Sequence, residues 1–250
     1  MSFGLVVIGS ELLSGRRRDG HFDFAVDALG RRGLELEWCY YVGDDPVRIT
    51  AILKRTMDSD DIVFCFGGIG ATPDDHTRRC AADAAGVALV RHPEAAAVIE
   101  ARFGEAAYPQ RIRMAHLPEG CELIPNPVNR IAGFSLKDHH FVPGFPQMGQ
   151  PMMNWVLDHR YPHLAPADRP AERLLTLPGT SEGELMLLME DLVSRFPHVR
   201  LSCLPHMNGD YRETEIGLRG TLGEVERAFA WLTAELDREG LRWRTDDDVA

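Results

Sequence analysis

The stretch from Asp61 to Asp75 constrains this chain more than any other. Ile62-Val63-Phe64-Cys65-Phe66 is a short, unbroken apolar run without the alternation of a strand that has one wet face. It is expected to lie in the middle of a parallel sheet, buried on both sides. The run stops at Gly67-Gly68-Ile69-Gly70. Thr72-Pro73-Asp74-Asp75 then supplies a capping residue, a proline suited to a first helical turn and two acids, which predicts a helix from about 72 to 85. A strand that ends in glycines and turns into a helix leaves backbone N–H groups open to an anion.

The surrounding sequence alternates strand and helix patterns, as a parallel sheet requires. Strands are expected at 3–8, 34–42, 61–66 and 87–90, with further strand segments at 122–124 and 134–142. Helices are expected at 20–32, ended by Gly33, from the Asp45-Pro46 cap to 57, at 93–103 and at 147–160. These elements make residues 1–160 an α/β domain with a three-layer, mainly parallel sheet. The proline-rich stretch 161–171 reads as a linker. Residues 171–245 read as a small α+β domain: strand 173–177, helix 182–196, strands 199–204 and 211–219, helix 222–239. Both helices open on a capping-box pattern, Ser181-x-x-Glu184 and Thr221-x-x-Glu224.

Composition narrows the function classes. A net charge of -11 would repel a polyphosphate backbone, and Arg16-Arg17-Arg18 is too short for a nucleic-acid stripe, so no DNA or RNA partner is expected. The arginines read either as a solvated loop or as a contact for a small anion. No apolar run is long enough to span a bilayer, and the amino terminus lacks the layout of a signal peptide. A cytoplasmic protein is expected. The five cysteines form no CxxC pair and no zinc-ligand spacing, and read as reduced thiols.

The glycine loop is neither GxGxxG nor GxxxxGK[ST], which disfavours a kinase, a GTPase or a standard nicotinamide enzyme. A purely structural turn and an anion loop both remain open. Asp74 and Asp75 would repel a bare phosphate, so they are either helix caps or ligands of a bridging divalent cation. His139 and His140 sit on one strand and point to opposite faces, which excludes a shared metal and favours solvent-facing or satisfied core roles. His206 reads as a strand end. Cys65 reads as core, and Cys80 has no basic partner to activate it.

The string Gly67-Gly68-Ile69-Gly70-Ala71-Thr72-Pro73-Asp74-Asp75-His76-Thr77 resembles the GGxGxTxDDxT signature of the molybdopterin-binding (MoaB/Mog-like) family, in its CinA-type version. Ile8-Gly9-Ser10-Glu11-Leu12-Leu13-Ser14-Gly15, Val42-Gly43-Asp44-Asp45 and Pro143-Gly144-Phe145-Pro146-Gln147-Met148 are similar to that family's IGxELLxG, VGD and PGxPxEM. The trailing unit resembles the small domain that follows in CinA-like proteins. The amidohydrolase domain of that family has no counterpart here, so deamidation of nicotinamide mononucleotide is not expected of these residues.

The resemblance implies the molybdopterin-binding fold, a pterin (molybdopterin itself included) or a nucleotide diphosphate as ligand, and a homo-oligomer. It implies a pyrophosphatase using Mg²⁺, Mn²⁺ or Co²⁺ on ADP-ribose- or FAD-type substrates. Asp44 and Asp75 match the family's paired aspartates and Glu11 the acid of its first loop, which makes these three the implied metal ligands and the first two the implied catalytic pair. Gly9, Ser10, Glu11, Gly67, Gly68, Gly70, Thr72, Asp74, Thr77, Pro143 and Gly144 are the implied ligand contacts. The alternatives are a noncatalytic binder and a molybdenum-cofactor transferase. This chain departs from the family pattern at Asp19-Gly20-His21, at Ala71 and at Gln147, where the family has asparagine, proline and glutamate. Between Asn126 and Gly133 an NPxGTAPG segment keeps only its ends. Arg130 in that segment reads either as a surface residue or as a charge for an anionic ligand.

Overall fold

The central apolar run does become the middle of a parallel sheet. The computed structural model describes residues 2–164, 171–208 and 211–245, and the chain divides into two units, Met1–Ala165 and Pro166–Ala250. In the first unit, β1 (Phe3–Ile8), β2 (Leu36–Val42), β3 (Ile62–Phe66), β6 (Glu122–Ile124), β7 (Gly133–Leu136) and β8 (His139–Val142) form a six-stranded sheet in the order β2-β1-β3-β8-β7-β6. β2, β1, β3 and β8 are parallel, while β7 pairs antiparallel with both β8 and the edge strand β6. β4 (Leu89–Arg91) and β5 (His116–Pro118) form a separate antiparallel pair.

Alternation along the buried strands divides the core into two layers. Val6 and Ile8 of β1 join Val63 and Cys65 of β3 in a cluster with Ile49 and Leu53 of α3 (Pro46–Met57), Cys80 of α4 (Thr77–Ala85) and Ile99 of α5 (Pro93–Phe103). Leu5, Val7, Phe64 and Phe66 face the other way, onto Leu29 of α2 (Phe22–Gly30) and onto Met152 and Val156 of α6 (Pro146–Arg160). α1 (Ser10–Leu13) is a single turn after β1. Both faces of β3 are thus covered, which is why its sequence shows no alternation.

Several boundaries differ from the sequence reading. The helix expected from Thr72 begins at Thr77, because residues 72–76 fold into a turn that satisfies itself: Asp75 N–H donates to Thr72 O at 3.1 Å, and the Asp75 carboxylate accepts from Thr72 N–H at 2.8 Å. α2 stops at Gly30, and β2 begins at Leu36, since Leu34 N–H still bonds back to Leu29 O. The segment 134–142 is two strands. Lys137 and Asp138 both hold positive φ (49° and 53°), the geometry of a tight hairpin turn. The strand expected at 87–90 lies at 89–91. The linker does not begin at Tyr161, which is buried, and residues 165–170 of it lie outside the described residues.

The second unit contains β9 (Ala171–Pro178), α7 (Glu182–Arg195), β10 (Arg200–Asn208), β11 (Tyr211–Gly220) and α8 (Leu222–Arg238). Its antiparallel sheet runs β10-β11-β9 and packs leucines such as Leu175, Leu188, Leu218 and Leu232 into one core. Ser181 and Glu184 form the reciprocal capping box, and Thr221 Oγ1 donates to Glu224 at 2.9 Å. His206 lies within β10, two residues before its end. Among the described residues, no helix is long and apolar enough to cross a membrane.

Candidate functional site

The parallel strands β1, β2, β3 and β8 end on the same side, and their following loops build one cleft of about 430 Å³, a size suited to a small organic ligand. Its floor is the loop after β3. Gly67 N–H continues the ladder to Val142 O at 3.0 Å, and the chain then turns through positive φ at Gly67 (106°) and Gly68 (68°). Side chains are excluded at both. A Cβ on Gly67 would lie 2.2 Å from Ile8 O, and one on Gly68 would lie 2.2 Å from Thr77 Oγ1.

The loop carbonyls are tied back into the protein. Thr77 Oγ1 donates to Gly67 O at 2.9 Å, Thr77 N–H to Gly68 O at 3.0 Å, and Arg78 Nη2 to Gly70 O at 2.6 Å. The N–H groups of Gly68, Ile69, Gly70 and Ala71 have no partner among the described residues, and all four residues line the cleft. All four residues are half-exposed, so these N–H groups are open to the cleft, the arrangement from which an anion could accept.

The acids are distributed around this floor. Glu11, Asp44, Asp74 and Asp75 all line the cleft. Asp44 Oδ2 accepts from Ser10 N–H at 2.8 Å and Ser10 Oγ accepts from Asp44 N–H at 3.0 Å, a reciprocal pair that ties the end of β1 to the end of β2. Asp75 Oδ2 also accepts from the Thr72 hydroxyl, and it closes over Gly70, where a Cβ would meet it at 2.5 Å. Glu11 folds back over Gly9 in the same way, 2.8 Å from where a Cβ would stand. Among the described residues, no three His, Cys, Asp or Glu side chains converge as a ready-made metal site.

Of the implied ligand contacts, Gly9, Glu11, Gly67, Gly68, Gly70, Thr72, Asp74, Pro143 and Gly144 line the cleft together with Asp44 and Asp75. Two do not. Thr77 is fully buried with its hydroxyl committed to the loop, and Ser10 is paired with Asp44 and lines a neighbouring shallow depression instead. Gln147 is exposed and lies off the cleft wall, so the position that carries glutamate in the resembled pattern does not face the ligand space here. Arg130 is exposed. His139 and His140 are satisfied core residues, His139 with Thr56 Oγ1 and His140 between Ser135 Oγ and Tyr161 Oη, each at 2.8 Å.

Other wall residues were not singled out as site residues by sequence reasoning. Arg17 and Arg18 are exposed and line the cleft, Arg17 with its guanidinium 5.4 Å from the Phe145 ring centre. His21 stacks on Phe66 with ring centres 4.2 Å apart and donates from Nε2 to Gly144 O at 3.2 Å; burial pushes its pKa down and keeps it neutral. Asp19 accepts from His21 N–H, Phe22 N–H and the Tyr41 hydroxyl. Burial pushes its pKa up, but these hydrogen bonds outweigh it and hold the carboxyl below its ordinary value. Asn126, itself buried, knits the altered 126–133 segment: Oδ1 accepts from Val128 N–H and Asn129 N–H, and Nδ2 donates to Ile131 O. An aspartate three residues before the start of α2 was a legible turn signal; the buried roles of His21 and Asn126 carry no local pattern.

Residues 4–165 match the family model described as "Probable molybdopterin binding domain". Along its whole length the chain is 33% identical to a CinA-like protein of Citrifermentans bemidjiense, and over 96% of its length 32% identical to one of Geobacter metallireducens. It spans 62% and 60% of those two relatives. The crystal structure of the protein CinA from Thermoplasma acidophilum, described as of unknown function, superposes with a TM-score of 0.58 at 27% identity, over 63% of this chain and 98% of that one.

Proposed function

The chain belongs to the molybdopterin-binding domain family, and from that membership we propose that its cleft binds a pterin or nucleotide diphosphate and hydrolyses ADP-ribose- or FAD-type diphosphates with a divalent cation. The observation that carries the reading is the run of four unpartnered N–H groups at Gly68–Ala71, beside Arg17 and Arg18, in a cleft that also holds Glu11, Asp44 and Asp75. The N–H groups and the arginines bind phosphate oxygens, the first as fixed dipoles and the second as mobile charges.

The acids would repel a bare diphosphate, and this is the chemistry of a hard cation shared between carboxylates and phosphate. Glu11, Asp44 and Asp75 would hold it together with the ligand's own oxygens, which fits a donor set that does not converge by itself. Such a cation neutralises diphosphate charge and acidifies a bound water. Asp75 is oriented by its bonds from Thr72, and Asp44 by its pair with Ser10, so both carboxylates are fixed before a ligand arrives. His21, buried and stacked on Phe66, lines one side of the phosphate floor with its Nδ1 left without a partner.

The test is incubation of the protein with ADP-ribose and with FAD, with and without Mg²⁺, Mn²⁺ or Co²⁺, and chromatography for AMP. Metal-dependent AMP is expected, lost in Asp44→Ala and in Asp75→Asn, the latter keeping an acceptor for Thr72. A second reading, a noncatalytic binder, is favoured by Gln147, which is exposed and off the cleft wall at the position where the family pattern carries glutamate. It predicts a thermal shift with ligand and no product. Neither product nor shift would remove both readings.

A further inference from the structure

Among the described residues, Arg78 is the only buried arginine or lysine. Its guanidinium forms no ion pair with a described carboxylate, and Nε has no partner. Three backbone carbonyls hold it instead. Nη2 donates to Gly70 O at 2.6 Å, and Nη1 donates to Arg113 O and, at 3.1 Å, to His116 O. The three come from different pieces of chain: the glycine loop, the 3-10 turn Arg111–Ala115 and β5. Between the last two lies Met114, which lines the cleft. Burial pulls the arginine's pKa down and the nearby Asp75 charge opposes that, but a guanidinium remains charged in any protein environment.

A buried cation satisfied only by carbonyls is costly unless every bond is kept, so each segment is constrained by the other two. We propose that Arg78 is a positioning residue that pins the anion loop at Gly70 to the Met114 wall, so that the order of the loop and the order of residues 111–118 rise and fall together. The functional part of this inference rests on the diphosphate reading above. The structural part does not.

Hydrogen exchange on the full chain, read over residues 67–77 and 111–118, tests the pin in Arg78→Met and Arg78→Lys. Exchange is expected to accelerate by about tenfold or more in both segments of Arg78→Met, as loss of charged hydrogen bonds implies, with β1 unchanged and Arg78→Lys intermediate. If Arg78→Met does not fold, Arg78→Lys is read over the same two segments. Protection unchanged in either segment would overturn the proposal. Titration with inorganic pyrophosphate is expected to show affinity about 10- to 100-fold weaker in Arg78→Met, with partial rescue by lysine. A wild-type protein that binds neither pyrophosphate nor ADP-ribose would sink the diphosphate reading, while the exchange experiment would still decide for or against the pin.

Discussion

Gly68→Ala isolates the geometric demand of the glycine loop, and its cost divides into parts that a second substitution can separate. The position has φ 68°, which a residue with a Cβ occupies at a cost of about 1–2 kcal/mol. The new methyl would stand 2.2 Å from Thr77 Oγ1 and 3.2 Å from Thr77 Cβ. Thr77 must rotate, and its bond to Gly67 O is lost in a fully buried place, a further cost of about 1–3 kcal/mol. Gly68→Ala alone should therefore destabilise the first unit by about 2–5 kcal/mol. Thr77→Ala alone should cost about 1–3 kcal/mol, because it removes the same hydrogen bond. In the double variant the 2.2 Å contact no longer exists and the bond is lost only once, so the combined cost should fall short of the sum by about 1–3 kcal/mol. Urea unfolding of the four proteins, read on the first unit's transition, measures the cycle. Additivity within about 0.5 kcal/mol would show that Thr77 does not hold the loop as described.

Arg17→Ala and Arg18→Ala should each weaken pyrophosphate binding by about 3- to 10-fold at low salt, with the difference shrinking as ionic strength rises; equal affinities in calorimetry would return both side chains to solvent. Tyr161→Phe removes the hydroxyl that donates to Asp138 Oδ1 at 2.8 Å and accepts from His140 Nε2, and should cost about 1–3 kcal/mol in unfolding free energy. His140 is held at a pKa of about 3 by burial and, secondarily, by Arg160 and His139, against an ordinary 6.5. The unfolded chain therefore takes up this proton first, and the stabilisation from keeping His140 neutral is full above pH 6.5 and is lost as pH falls toward 3. Between those limits His140→Gln should have a shallower pH dependence of stability than wild type, by up to about 1.4 kcal/mol per pH unit; parallel curves would refute the assignment.

The parts of the fold that were legible in the sequence are those set by local periodicity and capping. The apolar run of β3, the Asp45-Pro46 start of α3 and the Ser181–Glu184 box each follow from residues within one or two turns of one another. The hairpin at Lys137-Asp138 escaped because lysine carries no positive-φ signal and Asp138, which tolerates the left-handed region, has no glycine beside it to mark a turn. Tyr161 escaped because its burial depends on Asp138 and His140, more than twenty residues away in sequence. In the site, the glycines and acids were legible by type and spacing. Thr77, however, has the chemistry of a ligand donor and spends it on the loop's own carbonyl, and Arg78 has the chemistry of a surface residue and sits beneath the floor.

The displaced start of α4 connects these observations. Had the helix begun at Thr72, Asp74 and Asp75 would have capped its first N–H groups, and their charge would have been largely absorbed by the helix. Because it begins at Thr77, the first two helical residues are free to anchor the loop, Thr77 at Gly67 and Gly68 and Arg78 at Gly70. The acids are left on the turn that rims the cleft, with Asp75 held by Thr72 alone among hydrogen-bond donors in the described residues. Negative charge beside unpaired N–H groups is then a feature of the cleft itself, and a phosphate can enter with a bridging cation at lower cost than without one. The same arrangement predicts the order of events on titration: in the absence of a divalent cation, diphosphate affinity should rise in Asp75→Asn, and in its presence it should fall. Calorimetry with pyrophosphate, with and without Mg²⁺, reads both signs, and an equal response in the two conditions would mean that the acids and the anion do not share the site.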